Sequence, residues 1–394
     1  MKMCFAKFWA TLVVCSSLIL SQNVGSVKQP PKCPCADESL CQAPIGPDPN
    51  RKEVFIFALS SHNWKLYDWS KITTVVMVGF YDAQLMCHAH KNNARAVKIS
   101  NFPLQNLTEE HDISKWVSQE WEYVHDHFLD GINIDFEDPI PKDNTTVRFG
   151  LRIVVGLSYV LFKEANSSYQ VTFDIAWSPD CIDGRCYDTV PMANLTDFLF
   201  VMAYDEQSQI FGPDCVAGPN SGLQKTSSGL KRFLDLGIDP SKLVLGVPWY
   251  GYKYPCVKRS QKSNRTTCYI KHVPFRGVNC SDAAGSQINY KEIIENYLPA
   301  SKSGRQWDDI AKSPFFDYQD PATKKWSQFW YDDPESLTYK YKYAQSLGLR
   351  GVGMWNADTL DYSDTAEGKK QRDQMWGALP SYKKLNEKKK TLIH

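Results

Sequence analysis

The stretch Asp130-Gly131-Ile132-Asn133-Ile134-Asp135-Phe136-Glu137-Asp138 carries two patterns at once. Taken with period two, Ile132, Ile134 and Phe136 form one apolar face. Gly131, Asn133, Asp135 and Glu137 form the other, which is polar and ends in a glutamate. This is the pattern of a short buried strand carrying carboxylates. Same-face neighbours on a strand stand about 6.5–7 Å apart, so Asp135 and Glu137 feel each other's charge. Like charge and burial both raise a carboxyl pKa, which keeps a neutral acid ready to donate a proton. Two plainer readings compete: a Ca²⁺ or Mg²⁺ loop built from the same acids, and a solvated turn.

Outward from that strand, apolar runs alternate with helical stripes. The runs 53–59, 73–80 and 96–100 precede it, and the first two are nearly continuous, as in parallel strands covered on both faces. Ile113, Trp116, Val117, Trp121, Val124 and Phe128 recur at helical spacing just before it. A second helix is predicted over about 147–162, and further strands over 170–178, 197–205, 242–250 and 350–355. Asp333, Pro334 and Gly348 read as the cap, first position and stop of the last intervening helix. Eight strands alternating with helices predict an α/β chain folded as a (β/α)₈ TIM barrel. A doubly wound sheet is the alternative, but its Gly-rich phosphate loop is missing. Cys87-His-Ala-His90, after the second strand, reads as a turn with ordinary histidines in preference to a metal site.

The gap between strands seven and eight is longer than one helix needs. The expected organisation is therefore a signal peptide over 1–26, a Cys-rich amino-terminal cap over 27–52 and barrel strands one to seven over 53–251. An inserted subdomain over 252–330 follows, between strands seven and eight. The final barrel helix, strand eight and closing helix fill 331–380, and a basic solvated tail fills 381–394.

A net charge of +1 over 394 residues gives no reason to expect nucleic acid or a membrane surface as partner. Lys2 and Lys7, then the apolar run 8–20 and small residues up to Ser26, form a secretory signal. No later run is read as long and apolar enough to span a bilayer, so the mature chain is expected to be soluble, and a monomer. Cys4 and Cys15 leave with the signal, and ten of the 12 cysteines remain. An even number in a secretory chain suggests disulfides, with Cys33, Cys35 and Cys41 stapling the cap and Cys181 and Cys186 closing a short loop. Zinc is the rival, but the spacings do not match its common patterns. Six sequons, at Asn106, Asn144, Asn166, Asn194, Asn264 and Asn279, fit the same route. The 13% aromatic content suits core packing and also stacking on sugar rings.

In a barrel of this kind the active site lies at the carboxyl ends of the strands. Strand four ends with Asp135 and Glu137. In strand six Met202 and Tyr204 share a face, with Asp205 just beyond. In strand eight Gly351, Gly353 and Trp355 share a face, the glycines leaving room beneath the indole. Singly, Tyr204 reads equally as a core tyrosine and Trp355 as a plug; predicted to converge at one mouth, they read as a site.

These residues carry a resemblance. Asp130-Gly-Ile-Asn-Ile-Asp-Phe-Glu137 resembles D-G-x-D-x-D-x-E, the signature of glycoside hydrolase family 18, the chitinase family. Met202-Ala-Tyr-Asp205, Gly246-Val-Pro-Trp-Tyr-Gly251 and Trp355 resemble its motifs on strands six, seven and eight. Asp205-Glu-Gln-Ser-Gln209, Val247-Pro-Trp-Tyr-Gly-Tyr252, Pro274-Phe-Arg-Gly277 and Ser281-Asp-Ala-Ala-Gly285 narrow it to members acting on the N-acetylglucosamine disaccharide, chitobiose.

The resemblance implies a glycosidase that hydrolyses the β-1,4 bond of chitobiose cores during N-glycan breakdown in lysosomes. It implies no cofactor and no metal. Glu137 would be the general acid, and the substrate's own acetamide the nucleophile, with retention of configuration. Asp135 would orient the acetamide N–H, and Tyr204 would donate to the acetamide. Trp355 would floor the sugar, with Asn133, Met202 and Asp205 as further contacts. Asn133 departs from the family's usual Asp; its amide is expected to donate to Asp135 and keep it ionised in acid. The family's Ser-x-Gly-Gly of strand three is missing near 96–100, which favours a short substrate. Three other functions compete: a sugar-binding lectin on the same fold, an endo-acting chitinase, and a metal-dependent hydrolase using Asp130, Asp135, Glu137 and Asp138. Retained Glu137 disfavours the lectin, and the outward register of Asp138 disfavours the metal site.

Overall fold

A computed structural model describes residues 30–42, 46, 48, 51–262 and 265–383. The expected signal peptide, the tail beyond residue 383 and the Asn264 sequon lie outside them.

The first seven barrel strands are β1 (Glu53–Ala58), β2 (Thr74–Met77), β3 (Arg95–Ser100), β4 (Gly131–Ile134), β5 (Gln170–Ala176), β6 (Phe198–Met202) and β7 (Leu243–Pro248). The chain then leaves for β8 (Tyr250–Pro255), β9 (Lys258–Lys262), β10 (Arg265–Tyr269), β11 (Ser286–Asn289), β12 (Gln306–Asp308), β13 (Ser313–Gln319) and β14 (Trp326–Trp330). It returns as β15 (Gly351–Trp355), which pairs in parallel with both β7 and β1 and so closes an eight-stranded barrel. The predicted TIM barrel is the observed architecture. Strands buried on both faces need apolar residues at every position, which is why the runs were continuous.

Period two sorts those residues. Phe55, Phe57, Phe198, Phe200, Met202 and Val244 point into the barrel. Val54, Ile56, Leu199, Val201 and Leu245 point outward into the layer shared with the helices. A Cβ at Gly246 would lie 2.2 Å from the Phe200 ring, and one at Gly353 would lie 2.8 Å from it. Gly246 therefore seats Phe200, and Gly353 lets the Phe55 carbonyl, 2.0 Å from where its Cβ would be, as well as that ring approach. Trp355 lies above this packing, its ring 5.2 Å from that of Phe57.

The first five outer helices are α1 (Ala83–Lys91), α2 (Glu110–Asp126), α3 (Thr145–Ala165), α4 (Thr189–Asn194) and α5 (Leu223–Asp235). After the insertion come α6 (Pro334–Ser346) and α7 (Ala366–Ala378). Asp333 caps α6 by accepting from the Glu335 and Ser336 amides, as its sequence predicts. Cys87-His-Ala-His90, expected to be a turn, lies in α1. Asp82 starts that helix by accepting from the Gln84 and Leu85 amides, a cap overlooked in the sequence. Helix α3 corrects a second expectation: with a mean hydropathy of 1.4 over 18 residues it is long and apolar enough to cross a membrane. Its Leu151, Val154, Val155 and Leu161 are instead buried in the outer layer of the barrel.

Strands β11-β8-β14-β13-β12 form an antiparallel sheet, and β9 and β10 a separate ribbon. The second sheet starts at Tyr250, only one residue beyond the end of β7 at Pro248 plus Trp249. All ten cysteines among the described residues are paired, which removes the zinc alternative: Cys33–Cys41, Cys35–Cys87, Cys181–Cys186, Cys215–Cys280 and Cys256–Cys268. The second bridge ties the amino-terminal cap to α1, and the third closes the loop after β5.

Candidate active site

Strand β4 ends at Ile134, and the Asp135 amide still donates to the Ser100 carbonyl at 2.8 Å, so the chain leaves the sheet in a fixed direction. Depth then grades the polar face. Asn133 is fully buried, Asp135 is half-buried, and the Glu137 side chain is 47% exposed at the mouth. Burial first, and the Glu137 charge second, push the Asp135 carboxyl up to about 7, against the pull of Arg185.

Strand β5 adds a carboxylate that the sequence reading overlooked. Asn133 pairs with Thr172 in the β4–β5 register, which puts Asp174 on the same face one step further on. The Asn133 Nδ2 donates to Asp174 Oδ1 at 2.8 Å and to Thr172 Oγ1 at 3.0 Å. This overturns the expectation that Asn133 donates to Asp135 and keeps it ionised. It also takes Asn133 out of reach of a substrate. The buried oxygens Asn133 Oδ1 and Asp135 Oδ1 have no hydrogen-bond partner. Burial, then the Asp135 charge, drive the Asp174 carboxyl well above the usual range; the Asn133 hydrogen bond opposes this and Glu137 adds to it.

Strands β6 and β15 bring the other predicted residues to the same mouth. Burial, and then the charges of Asp174, Glu137 and Asp135, hold the Tyr204 phenol well above its ordinary pKa, so its hydroxyl is a neutral donor. Met202, Tyr204 and Trp355 pack together at the top of the barrel interior. Asp205 Oδ1 accepts from the Tyr250 hydroxyl at 2.6 Å, and its amide donates to Asn220 Oδ1 at 2.8 Å. Burial lifts the Asp205 carboxyl to about 6 against its tyrosine hydrogen bonds. Glu137, Met202, Tyr204 and Asp205 line one narrow pocket of about 30 Å³ with Trp177, Asp183 and Arg185. A wider cavity of about 380 Å³ lies at the opposite end, among Arg95, Lys163, Lys242 and Arg350. It holds none of these carboxyls; chemistry, not volume, marks the site.

The acids proposed for a metal are not gathered. Asp130 sits at the entry of β4, where its Oδ2 contacts His90 Nε2 at 2.8 Å and accepts from the Ala96 amide at 2.7 Å. His88 packs on the rings of Trp64 and Trp69. Both histidines of that pair are thus structural.

Arg185 had no signal in the sequence. Its Nη2 lies 2.6 Å from Glu137 Oε2 and 3.4 Å from Asp183 Oδ2. The Cys181–Cys186 bridge closes its loop. The Asp183 amide donates to Gln209 Oε1 at 3.0 Å, Ser208 Oγ donates to Asp183 Oδ1 at 2.8 Å, and Arg276 Nη1 donates to the Asp183 carbonyl at 2.6 Å. Two motifs singled out in the sequence, 205–209 and 274–277, therefore brace the loop that holds Arg185 against the acid.

Known proteins match this arrangement. The family model for glycosyl hydrolases family 18 matches residues 60–359. The chain is 44% identical over 347 residues to the di-N-acetylchitobiase of Mus musculus, covering 88% of this chain and 92% of that protein. It is 43% identical over 347 residues to the di-N-acetylchitobiase of Homo sapiens, covering 88% of each. A crystal structure of a chitinase from Rhizomucor miehei superposes with a TM-score of 0.64 at 20% identity, over 84% of this chain and 99% of that one. The last shows the fold alone, whereas the family model and the two relatives show that this chain is a member of glycosyl hydrolases family 18.

Proposed function

We propose that this enzyme hydrolyses the β-1,4 bond of N,N′-diacetylchitobiose and of the chitobiose cores left by N-glycan breakdown, by substrate-assisted retaining catalysis. The carrying observation is the graded pair Glu137 and Asp135. One carboxyl is half exposed at the mouth, and the other is deeper, with a buried Oδ1 that lacks a donor. An acetamide N–H is such a donor. The relatives' names supply the disaccharide.

Glu137 protonates the glycosidic oxygen while the acetamide oxygen attacks the anomeric carbon. The glycosidic bond breaks, an oxazolinium-like ring forms, and its positive charge is met by the negative charge left on the Asp135–Glu137 pair. Tyr204 donates to the acetamide, and Trp355, Met202 and Asp205 hold the sugar. Water then opens the ring, with Glu137 as base. Before the first step Arg185 has to release Glu137 Oε2, because the pocket is too narrow for a sugar ring while that contact stands. Proton transfer of this kind contributes about 10²–10⁴-fold.

We place the enzyme's work in the lysosome, as a monomer reached through the secretory route. Five disulfides suit an oxidising compartment, and site carboxyls raised by burial suit an acidic one. Incubation with N,N′-diacetylchitobiose in acid, with and without chelator and beside Glu137→Gln, tests the reading. Chelator-indifferent cleavage lost in the variant is expected. Binding without turnover would mean a lectin, and turnover of long chitin chains alone would mean an endo-acting chitinase.

A further inference from the structure

Asn133 stands where the family pattern has an ionisable residue, and its amide is committed to β5. The group it meets there is Asp174, 3% exposed. Asn133 faces it from β4, and Asp135 and Glu137 act on it from the turn beyond. Tyr204 faces it from the end of β6, and Thr172 shares its own strand face. Among the described residues, the groups that act on Asp174 are Asp135, Asn133 and Glu137, none of them a cation. Arg185 acts on Asp135 and Glu137. Asn133 Oδ1 is a buried acceptor with no donor.

We propose that Asp174 holds a proton against Asn133 and is the positioning residue that leaves the Asp135–Glu137 pair to carry the reaction's negative charge alone. The second carboxyl of the family pattern has in effect moved from strand four to strand five. A neutral Asp174 supplies the O–H donor that Asn133 Oδ1 lacks. An ionised one would set a third negative charge beside the pair just as the pair becomes anionic, opposing the step. The inference rests on the substrate-assisted reading above.

Two measurements test it. Infrared difference spectra of wild type against Asp174→Asn should show a carboxylic-acid carbonyl band that persists from acidic to neutral pH and is missing from the variant. Loss of a carboxylate band instead overturns the proposal, and a merely structural Asp174 would give that result. In turnover, Asn133→Asp is expected to lose about tenfold or more, since it adds a fourth carboxyl to the cluster. Combined Asn133→Asp and Asp174→Asn should recover most of that loss, because the proton-holding acid has only changed strands. A double variant whose loss is the sum of the two single losses overturns the proposal. The swap is isosteric, and circular dichroism of each variant reports its folding; if Asp174→Asn alone does not fold, a double variant no faster than Asn133→Asp overturns the proposal. Both measurements hold for any oligosaccharide the enzyme cleaves. Failure of the disaccharide assignment therefore shows as cleavage of longer substrates only, with the coupling between positions 133 and 174 still readable.

Discussion

Glu53 and Asp174 are both buried carboxylates on the barrel sheet, one at each end. Glu53, at the start of β1, has guanidinium nitrogens of Arg51, Arg95 and Arg350 at 3.4, 3.5 and 3.7 Å, and the Thr73 hydroxyl also donates to it. Asp174, near the end of β5, has an amide for company and two more carboxyls acting on it. Burial is nearly the same in both. What differs is the partner. At the floor, cations saturate the carboxylate and tie β1 to the strands on either side. At the mouth, Asp135 and Asp174 are left facing other carboxyls, and burial with like charge pushes both upward. A buried carboxyl is a staple at one end and a raised acid at the other.

The largest expected effect lies at the mouth. Glu137→Gln should lower kcat by about 10²–10⁴-fold. Its melting temperature should not move, because the side chain is half exposed. Next comes the floor. Glu53→Gln should cost about 3–5 kcal/mol in denaturant unfolding, since it leaves three buried guanidiniums short of their counter-charge. The kcat of the folded fraction should stay the same. If Glu53→Gln instead lowered kcat at unchanged stability, the division between the ends would fail.

A smaller effect is expected from Arg185→Ala. The variant frees Glu137 Oε2 and widens the pocket, so KM for the disaccharide should change more than kcat, measured by initial rates. A kcat collapse as deep as that of Glu137→Gln would make Arg185 part of the chemistry.

The smallest effect is a pH slope of stability. Burial raises Asp135 to about 7, Asp205 to about 6, and Glu206 and Asp282 each to about 7, and raises Asp174 well above the usual carboxyl range. Groups raised in the folded chain contribute stability fully below their unfolded values, about 4, and lose it as pH climbs through about 6–7. Burial also pushes Asp361 upward, but Lys291 and Ser363 hold it well down, so its contribution fails only in strong acid. The melting temperature should therefore rise by a few degrees from neutral to mildly acidic buffer in a scanning experiment. A flat or opposite slope would contradict the protonated mouth.

The barrel was legible because continuous apolar runs leave few alternatives to strands covered on both faces. Glu137 was legible because a carboxylate ending a buried strand has few structural uses. The partner of Asn133 was not. Along one strand the next same-face residue is about 6.5–7 Å away, whereas the neighbouring strand is about 4.8 Å away. The amide therefore reached Asp174 across the sheet and not Asp135 along it. The sequence held a signal for Asp174, a carboxylate sharing a face with Thr172 in an apolar run. It held none for Arg185, whose place depends on a disulfide and on braces from residues 208, 209 and 276. The histidines of α1 were misplaced because a Cys-His-Ala-His run has weak helical pattern, while Asp82 caps it and Cys87 is bridged to Cys35.

The central claim is that the substrate's acetamide is the nucleophile and that Glu137 and Asp135 serve it. The most direct measurement is turnover of a chitobiose series with zero to three fluorines on the acetamide methyl of the non-reducing sugar. Each fluorine weakens the acetamide oxygen as a nucleophile while hardly changing its size. A steep fall in kcat with every fluorine is predicted; equal rates across the series would mean that an enzyme carboxylate attacks instead.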